Sequence, residues 1–404
     1  MSTPVHTPAP VREPQVTRAE GKPRVLFIDH TGALGGGEIS LLPIVQAYRA
    51  CSRVMLFSDG PFRTALESAG VGVDVLPSGR ALLSIRRESR VPSARALMGG
   101  VALARRVAGA SRGYDVIYAN SQKAFIIGAL AAVWARRPVM WHLRDILDSE
   151  HFSSLNIRVA VALANHAADL VICNSQATAD AFVQQGGDRT RVRVVYSGVV
   201  AQPFLAVSDD AARAARANCV PGSGHVVGLF GRLAPWKGQH VAIEAIGQIP
   251  GVHLLLVGGA LFGEDAYEAR LRQRADELGI ADRVHFLGVR NDVPTLMRAV
   301  DVIVHTSVSA EPFGRVIVEA MLAARPVIAT AAGGAIEIVV DGETGVLVPP
   351  GDSTALAMAV RKLLSDASLR NRMGSAGRDR ALGHFESGAM VRDVECAVAE
   401  VVAR

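Results

Sequence analysis

From residue 24 onward, short runs of β-branched and aliphatic residues alternate with longer stretches whose apolar positions recur every three or four residues. The first set of runs occupies 24–29 (RVLFID), 53–57, 71–76, 115–118, 138–141, 169–173 and 191–196. These are strand lengths, and amphipathic stretches separate most of them. A second set follows at 226–230, 253–257, 283–287, 301–306, 326–330 and 345–348, with helical patterns at 239–248, 266–278, 314–324 and 354–364. Such alternation predicts an α/β fold of two Rossmann-like, doubly wound parallel-sheet domains, with the active site in the cleft between them. The stretch 202–224 interrupts the rhythm with Asp209, Asp210, an Ala/Arg run and Pro221-Gly222-Ser223-Gly224. That composition suits an interdomain connection. The expected layout is a disordered tail over 1–21, a first domain over 22–203, a linker over 204–223, a second domain over 224–385 and a closing helix over 386–404 that can pack back on the first domain.

Composition narrows the reading. With 404 residues, 50% of them hydrophobic, the chain can supply a core to each half. The longest uninterrupted apolar stretch, 124–135, lies between Lys123 and Arg136 and is well short of the roughly 20 residues that cross a bilayer. The N-terminal residues hold Pro4, Pro8, Pro10 and Pro14 among Thr and charged residues, without an apolar core, so a tail is expected there instead of a secretion signal. A cytoplasmic location is the expectation that follows. Cys51, Cys173, Cys219 and Cys396 are widely spaced and form no C-x-x-C pair, which disfavours a zinc site or a disulfide framework. A net charge of +5 is too small to imply nucleic acid. Its distribution is uneven, however: between Arg80 and Arg112 eight arginines face one acid, Glu88. With Leu82, Leu83, Ile85, Leu97, Met98, Val101 and Leu103 interspersed, this segment suits either a solvated insertion packed on the sheet or peripheral contact with an anionic membrane.

Candidate chemistry concentrates at strand ends. Glu311-Pro312-Phe313-Gly314 leads into a helix carrying Arg315, Val316 and Glu319. The first N–H groups of a helix have no internal partner and attract an anion. Glu319 lies among apolar neighbours, where a carboxylate needs donors such as ribose hydroxyls or a salt-bridge partner. The run Gly231-Arg232-Leu233-Ala234-Pro235-Trp236-Lys237-Gly238 places two cations on the loop after the first strand of the second set. Arginine offers a planar fork and lysine a point charge, a combination suited to pyrophosphate, although two exposed turn cations would read the same way. The loop HTGALGGGEIS at 30–40 offers a backbone that another group can approach closely. It is a poor dinucleotide fingerprint, because its glycines start late and Glu38 puts a negative charge beside the phosphate position. His142 ends a strand and precedes Arg144. Asn120-Ser121-Gln122 and Asn174-Ser175-Gln176 follow strands too and could be ligand contacts or helix caps. No D-x-D triplet, His/Asp/Glu cluster with metal spacing, Walker A loop, G-x-S-x-G or H-E-x-x-H occurs.

Together these residues resemble the retaining glycosyltransferases of family 4, which have the two-Rossmann GT-B architecture. The resemblance rests on GRLAPWKG, LLLVGG, VHFLGVRNDV, EPFGRVIVEAM and AAGGAIEIVVDGETGVLVPPGD in that order, and it reaches back to about Arg24. It implies that Arg232 and Lys237 grip the diphosphate of a nucleotide-sugar donor, with Gly36, Gly37, Arg315 and Val316. Glu311, Phe313 and Gly314 would bind the transferred sugar, Glu319 the ribose, and Arg290 and Val293 would flank the base. His142 and Glu311 would be the catalytic pair, while Glu38, Asn120 and Arg144 are weaker acceptor-side candidates. Ser197-Gly198 and Val200 depart from the family's Asn-Gly turn and acidic residue. The implied reaction is metal-independent, cofactor-free transfer to a glycan, lipid-linked or small-molecule acceptor. A nucleotide-sugar epimerase on the same scaffold, or a non-catalytic nucleotide-sugar-binding member, would carry similar motifs.

Overall fold

The computed structural model describes residues 21–76, 94–149, 152–260 and 264–404. Residues 1–20 of the expected tail, and residues 80–93 of the arginine-rich segment, lie outside the described residues. The first sheet contains β1 (Val25–Asp29), β2 (Ser52–Leu56), β3 (Val73–Val75), β4 (Val116–Ala119), β5 (Val139–Leu143), β6 (Leu170–Cys173) and β7 (Val192–Val194), in the order β3-β2-β1-β4-β5-β6-β7. The second contains β8 (His225–Phe230), β9 (Val252–Val257), β10 (Val284–Gly288), β11 (Val302–His305), β12 (Val327–Thr330) and β13 (Gly345–Val348), in the order β10-β9-β8-β11-β12-β13. Every strand pairing is parallel.

Because side chains alternate along a strand, each sheet feeds two apolar layers. On β1, Leu26 and Ile28 face one layer with Trp141 and Phe125, whose rings stack at 4.6 Å. Val25 and Phe27 face the other, with Tyr48 and Tyr118. Helices cover both faces, as a parallel sheet requires.

Two segments outside the sheets bear on how the lobes connect. The stretch expected to be a linker contains a helix, Asp209–Cys219, capped by the Ser208 hydroxyl and pinned by Arg216, which donates to Asp301 (2.8 Å) and to the carbonyls of Ala299 and Gly224. Phe204 and Val220 join the core of the second sheet, so this segment belongs physically to that lobe. The last helix, Ser387–Ala403, returns to the first lobe, where Met390, Val394, Ala397, Val398 and Val401 pack with Phe27 and Tyr48. The two crossings run side by side, since Val199 N donates to Phe385 O (2.9 Å) and Ser387 N to Val199 O (3.1 Å).

In both sheets the strand order reverses between the first and fourth strands in sequence, β1 against β4 and β8 against β11. Loops leaving such neighbours diverge and open a crevice beyond their carboxyl ends.

Candidate active site

On the second lobe, the crevice is built by the loops after β8 and β11. Gly238 takes φ +69, and a Cβ there would lie 2.0 Å from Thr306 O. Only glycine permits that approach, which the Thr306 hydroxyl reinforces by donating to the carbonyls of Lys237 (3.0 Å) and Gly238 (2.9 Å). The contact delivers Lys237 to Glu311: its ammonium lies 2.5 Å from Glu311 Oε1 and 4.3 Å from the Trp236 ring centre. The other carboxylate oxygen is held by His305 Nε2 and by the Ser307 hydroxyl at 3.0 Å. Burial alone would raise the Glu311 pKa, but Lys237 and His305 outweigh it and hold the carboxyl well below the usual range. Behind Glu311, Gly333 packs so closely at φ +58 that a Cβ would meet Glu311 O at 2.2 Å, and Gly334 N donates to the same carbonyl at 2.8 Å.

The helix Arg315–Leu322 starts directly after this site, with Gly314 at φ +101 as its N-cap. Phe313 is buried against Tyr196 and Phe385. Val316 packs on the core, and Glu319 is met by Arg315 at 3.3 Å. Arg232, on the loop after β8, has its Nε 3.7 Å from Glu264. Arg290 pairs with Asp292 (2.7 Å) just before Val293 opens a helix. The five motif segments of this lobe therefore converge on one end of the sheet.

On the first lobe, β1, β4 and β5 end in a polar network. The Asp29 carboxylate, fully buried, accepts from Asn120 Nδ2 (2.6 Å), and Asn120 Oδ1 accepts from Arg144 Nε (2.8 Å). Arg144 Nη2 approaches His142 Nδ1 at 3.1 Å, and the Tyr118 hydroxyl approaches the same nitrogen at 2.5 Å. A guanidinium can only donate, so Nδ1 is the acceptor and Nε2 carries the proton. His142 is fully buried and its Nε2 has no hydrogen-bond partner. Burial and the neighbouring Arg144 charge hold its pKa well below the histidine norm, so the ring is neutral.

Glu38 lies in the glycine-rich segment of this lobe. Its Oε2 accepts from Gly35 N (3.0 Å), which caps its own helix, Gly36–Ala47. Ser121 and Ser175 are helix caps too, accepting from Ala124 N and Thr178 N. Gly36 and Gly37 lie where a Cβ would be 3.6 Å from Arg315 Cδ and 3.2 Å from Arg144 Cδ respectively. The glycine loop thus fits between the two lobes.

Among the described residues, several contacts cross the crevice. Arg315 Nη1 donates to Ser40 Oγ (2.8 Å) and Gly198 O (3.0 Å). The Glu337 carboxylate accepts from Gln176 N and Ala177 N, both at 2.8 Å, and so caps the first-lobe helix Gln176–Gln184. Thr178 Oγ1 reaches Pro312 O at 3.4 Å. His305, Ser307, Asp29, Tyr118 and Glu337 escaped the sequence reading. The first and third end strands, a signal that was available; the rest are defined by packing.

Residues 214–380 match the model described as "Glycosyl transferases group 1", and residues 35–198 match "Glycosyl transferase 4-like domain". A solved structure of Anabaena HepE in complex with UDP and glucose superposes with a TM-score of 0.85 at 40% identity, covering 93% of this chain and 99% of that one. The HepE complex with UDP-glucose gives 0.84 at 41% identity, over 94% of this chain and 99% of that one. Among curated proteins, the lipopolysaccharide core biosynthesis glycosyltransferase LpsE of Rhizobium meliloti is 34% identical over 55% of this chain and 62% of its own length. A D-inositol 3-phosphate glycosyltransferase of Mycolicibacterium smegmatis is 37% identical over 49% of this chain and 45% of its own. The matched part is less than two thirds of each of these two relatives. Taken with the paired parallel sheets and the crevice at their switch points, these likenesses show that the chain belongs to the group 1, family 4-like glycosyltransferases of GT-B fold.

Proposed function

We propose that the protein transfers a sugar from a nucleoside-diphosphate sugar to an acceptor hydroxyl with retention of configuration and without a metal ion. The observation that carries this reading is the meeting of Lys237 and Glu311 at the start of the helix Arg315–Leu322, across from Gly36 and Gly37. Lys237, Arg232 and the helix start supply positive charge for a departing diphosphate. Glu311 supplies a fixed acceptor for the sugar's hydroxyls. In the step itself, the bond from the anomeric carbon to the phosphate oxygen breaks while the acceptor oxygen bonds to that carbon from the same face. The acceptor's proton passes to the departing phosphate oxygen. The buried Nε2–H of His142 would donate to the sugar once a ligand reaches it. UDP-glucose is the first donor to test, since HepE is solved with it at 41% identity over 94% of this chain.

The test is turnover of UDP-glucose with and without a chelator, across glycan, lipid-linked and small-molecule acceptors. Product of retained configuration, formed equally in chelator, supports the reading. A chelator-sensitive or inverting reaction rejects it, and conversion of the donor without any acceptor would favour an epimerase. Lys237→Ala should lower kcat/KM by more than a hundredfold, about 3 kcal/mol of transition-state stabilisation. Turnover within twofold of wild type would remove Lys237 from the diphosphate site.

Lipid-linked acceptors and peripheral membrane contact share one support. The helix Ala94–Ser111 exposes Leu97, Met98 and Val101 on the face that also carries Arg105 and Arg106, and exposed Val133 and Trp134 lie alongside, Arg105 covering the Trp134 ring. Exposed apolar residues among arginines suit an anionic bilayer. Co-sedimentation with anionic but not neutral vesicles, weakened in Met98→Asp, is the expected outcome.

A further inference from the structure

The contacts of Glu311 divide between two kinds of partner. Lys237, from the loop after β8, holds Oε1 at 2.5 Å. His305 and Ser307, from the end of β11 and just beyond it, hold Oε2. In the transfer proposed above, the ammonium of Lys237 is drawn toward the donor's phosphates. Glu311 then keeps its charge in a buried setting with a weakened cation, which is costly unless other donors stay in place.

His305 is built to stay. It is the last residue of β11, paired in register with Ala329 of β12, and only 5% of it is exposed. Its Nε2 faces Glu311 Oε2, and an ionised carboxylate can only accept, so Nε2 bears the proton. Nδ1 is buried with no hydrogen-bond partner. The Ser307 hydroxyl lies 3.3 Å from the same nitrogen and 3.0 Å from the same oxygen, closing a small triangle of contacts around Oε2.

We propose that His305 is the positioning residue of Glu311, holding the carboxylate in its sugar-binding orientation when Lys237 turns to the donor diphosphate. Nothing in its position lets His305 substitute for Lys237. It contacts the other carboxylate oxygen and is buried. This inference rests on glycosyl transfer at Glu311, but one of its tests does not.

Two substitutions separate the possibilities. His305→Phe keeps a buried ring without a donor; His305→Gln keeps an amide N–H of similar reach. The titration midpoint of the Glu311 carboxyl, followed by carbon-13 NMR in the free protein, should move upward in His305→Phe and lie between the two in His305→Gln. In turnover of UDP-glucose, His305→Phe should lose at least about tenfold in kcat while UDP affinity measured by calorimetry stays within about threefold, and His305→Gln should recover part of the loss. An unmoved carboxyl midpoint, a His305→Phe enzyme with unchanged kcat, or UDP affinity falling in step with kcat would each overturn the assignment. If His305→Phe does not fold, Ser307→Ala and His305→Gln still decide it through the carboxyl titration. Failure of the wild-type protein to turn over any nucleotide sugar would count against the transferase reading alone, and the titration would still report whether His305 holds Glu311.

Discussion

His142 receives Tyr118 and Arg144 at one ring nitrogen, so protonating it would set an imidazolium against a buried guanidinium. Its pKa is depressed in the folded chain by burial first and by Arg144 second. An unfolded histidine titrates near 6.5, so the native state binds fewer protons below that pH, and stability present above it is lost as pH falls. His142 should contribute up to about 1.4 kcal/mol per pH unit to that loss. Urea unfolding at pH 7.5, 6.5 and 5.5 should show a flatter dependence in His142→Asn, whose Oδ1 can still accept from Tyr118 and Arg144. The depressed His240, His253 and His285 leave a residual slope in the variant, and equal slopes in both proteins would refute the neutral-ring reading. Residue types at strand ends were readable in the sequence here. The tautomer was not, because it depends on Tyr118 and Arg144 arriving from separate elements.

At the scale of elements, the strands lay within a few residues of where hydrophobic runs placed them, since fully buried parallel strands leave continuous apolar segments. The helix Asp209–Cys219 was obscured because its exposed face is an Ala/Arg run resembling a linker, while the contacts that dock it come from Arg216 and distant Asp301. The glycine pair at Gly333 and Gly334 presses the backbone against Glu311. Gly333→Ala would combine an unfavourable φ with a Cβ 2.2 Å from Glu311 O, so it should destabilise by more than about 1 kcal/mol and displace Glu311 from Lys237. Gly342→Ala is the control: φ +76 with nothing within 4 Å of the added carbon carries only the backbone term. Chemical denaturation together with UDP-glucose turnover separates them, the first variant losing far more activity than the second. Equal losses in both would show that close packing at 333 is not what places Glu311.

At the scale of the whole molecule, the pairs that join the lobes were invisible in the sequence, because Ser40 and Arg315, or Gln176 and Glu337, meet only once two independent sheets are oriented. The closing helix also joins the lobes. Val394 is fully buried between strands and helices of the first lobe, although it follows the entire second lobe in the chain. The first lobe therefore completes its core only after the second lobe has been made. Val394→Asp puts a carboxylate into that layer without a partner, a change expected to cost several kcal/mol. The loss should be confined to one side. Calorimetry should show the first-lobe transition falling well below that of the second, and UDP, if the diphosphate site lies on the second lobe as proposed, should raise only the later transition. A single cooperative transition shifted as a whole would mean that the crossings at Val199 and Phe385, with the Arg315 and Glu337 contacts, couple the lobes more tightly than the helix does. That result would make the lobes one folding unit and remove the basis for treating their cores separately.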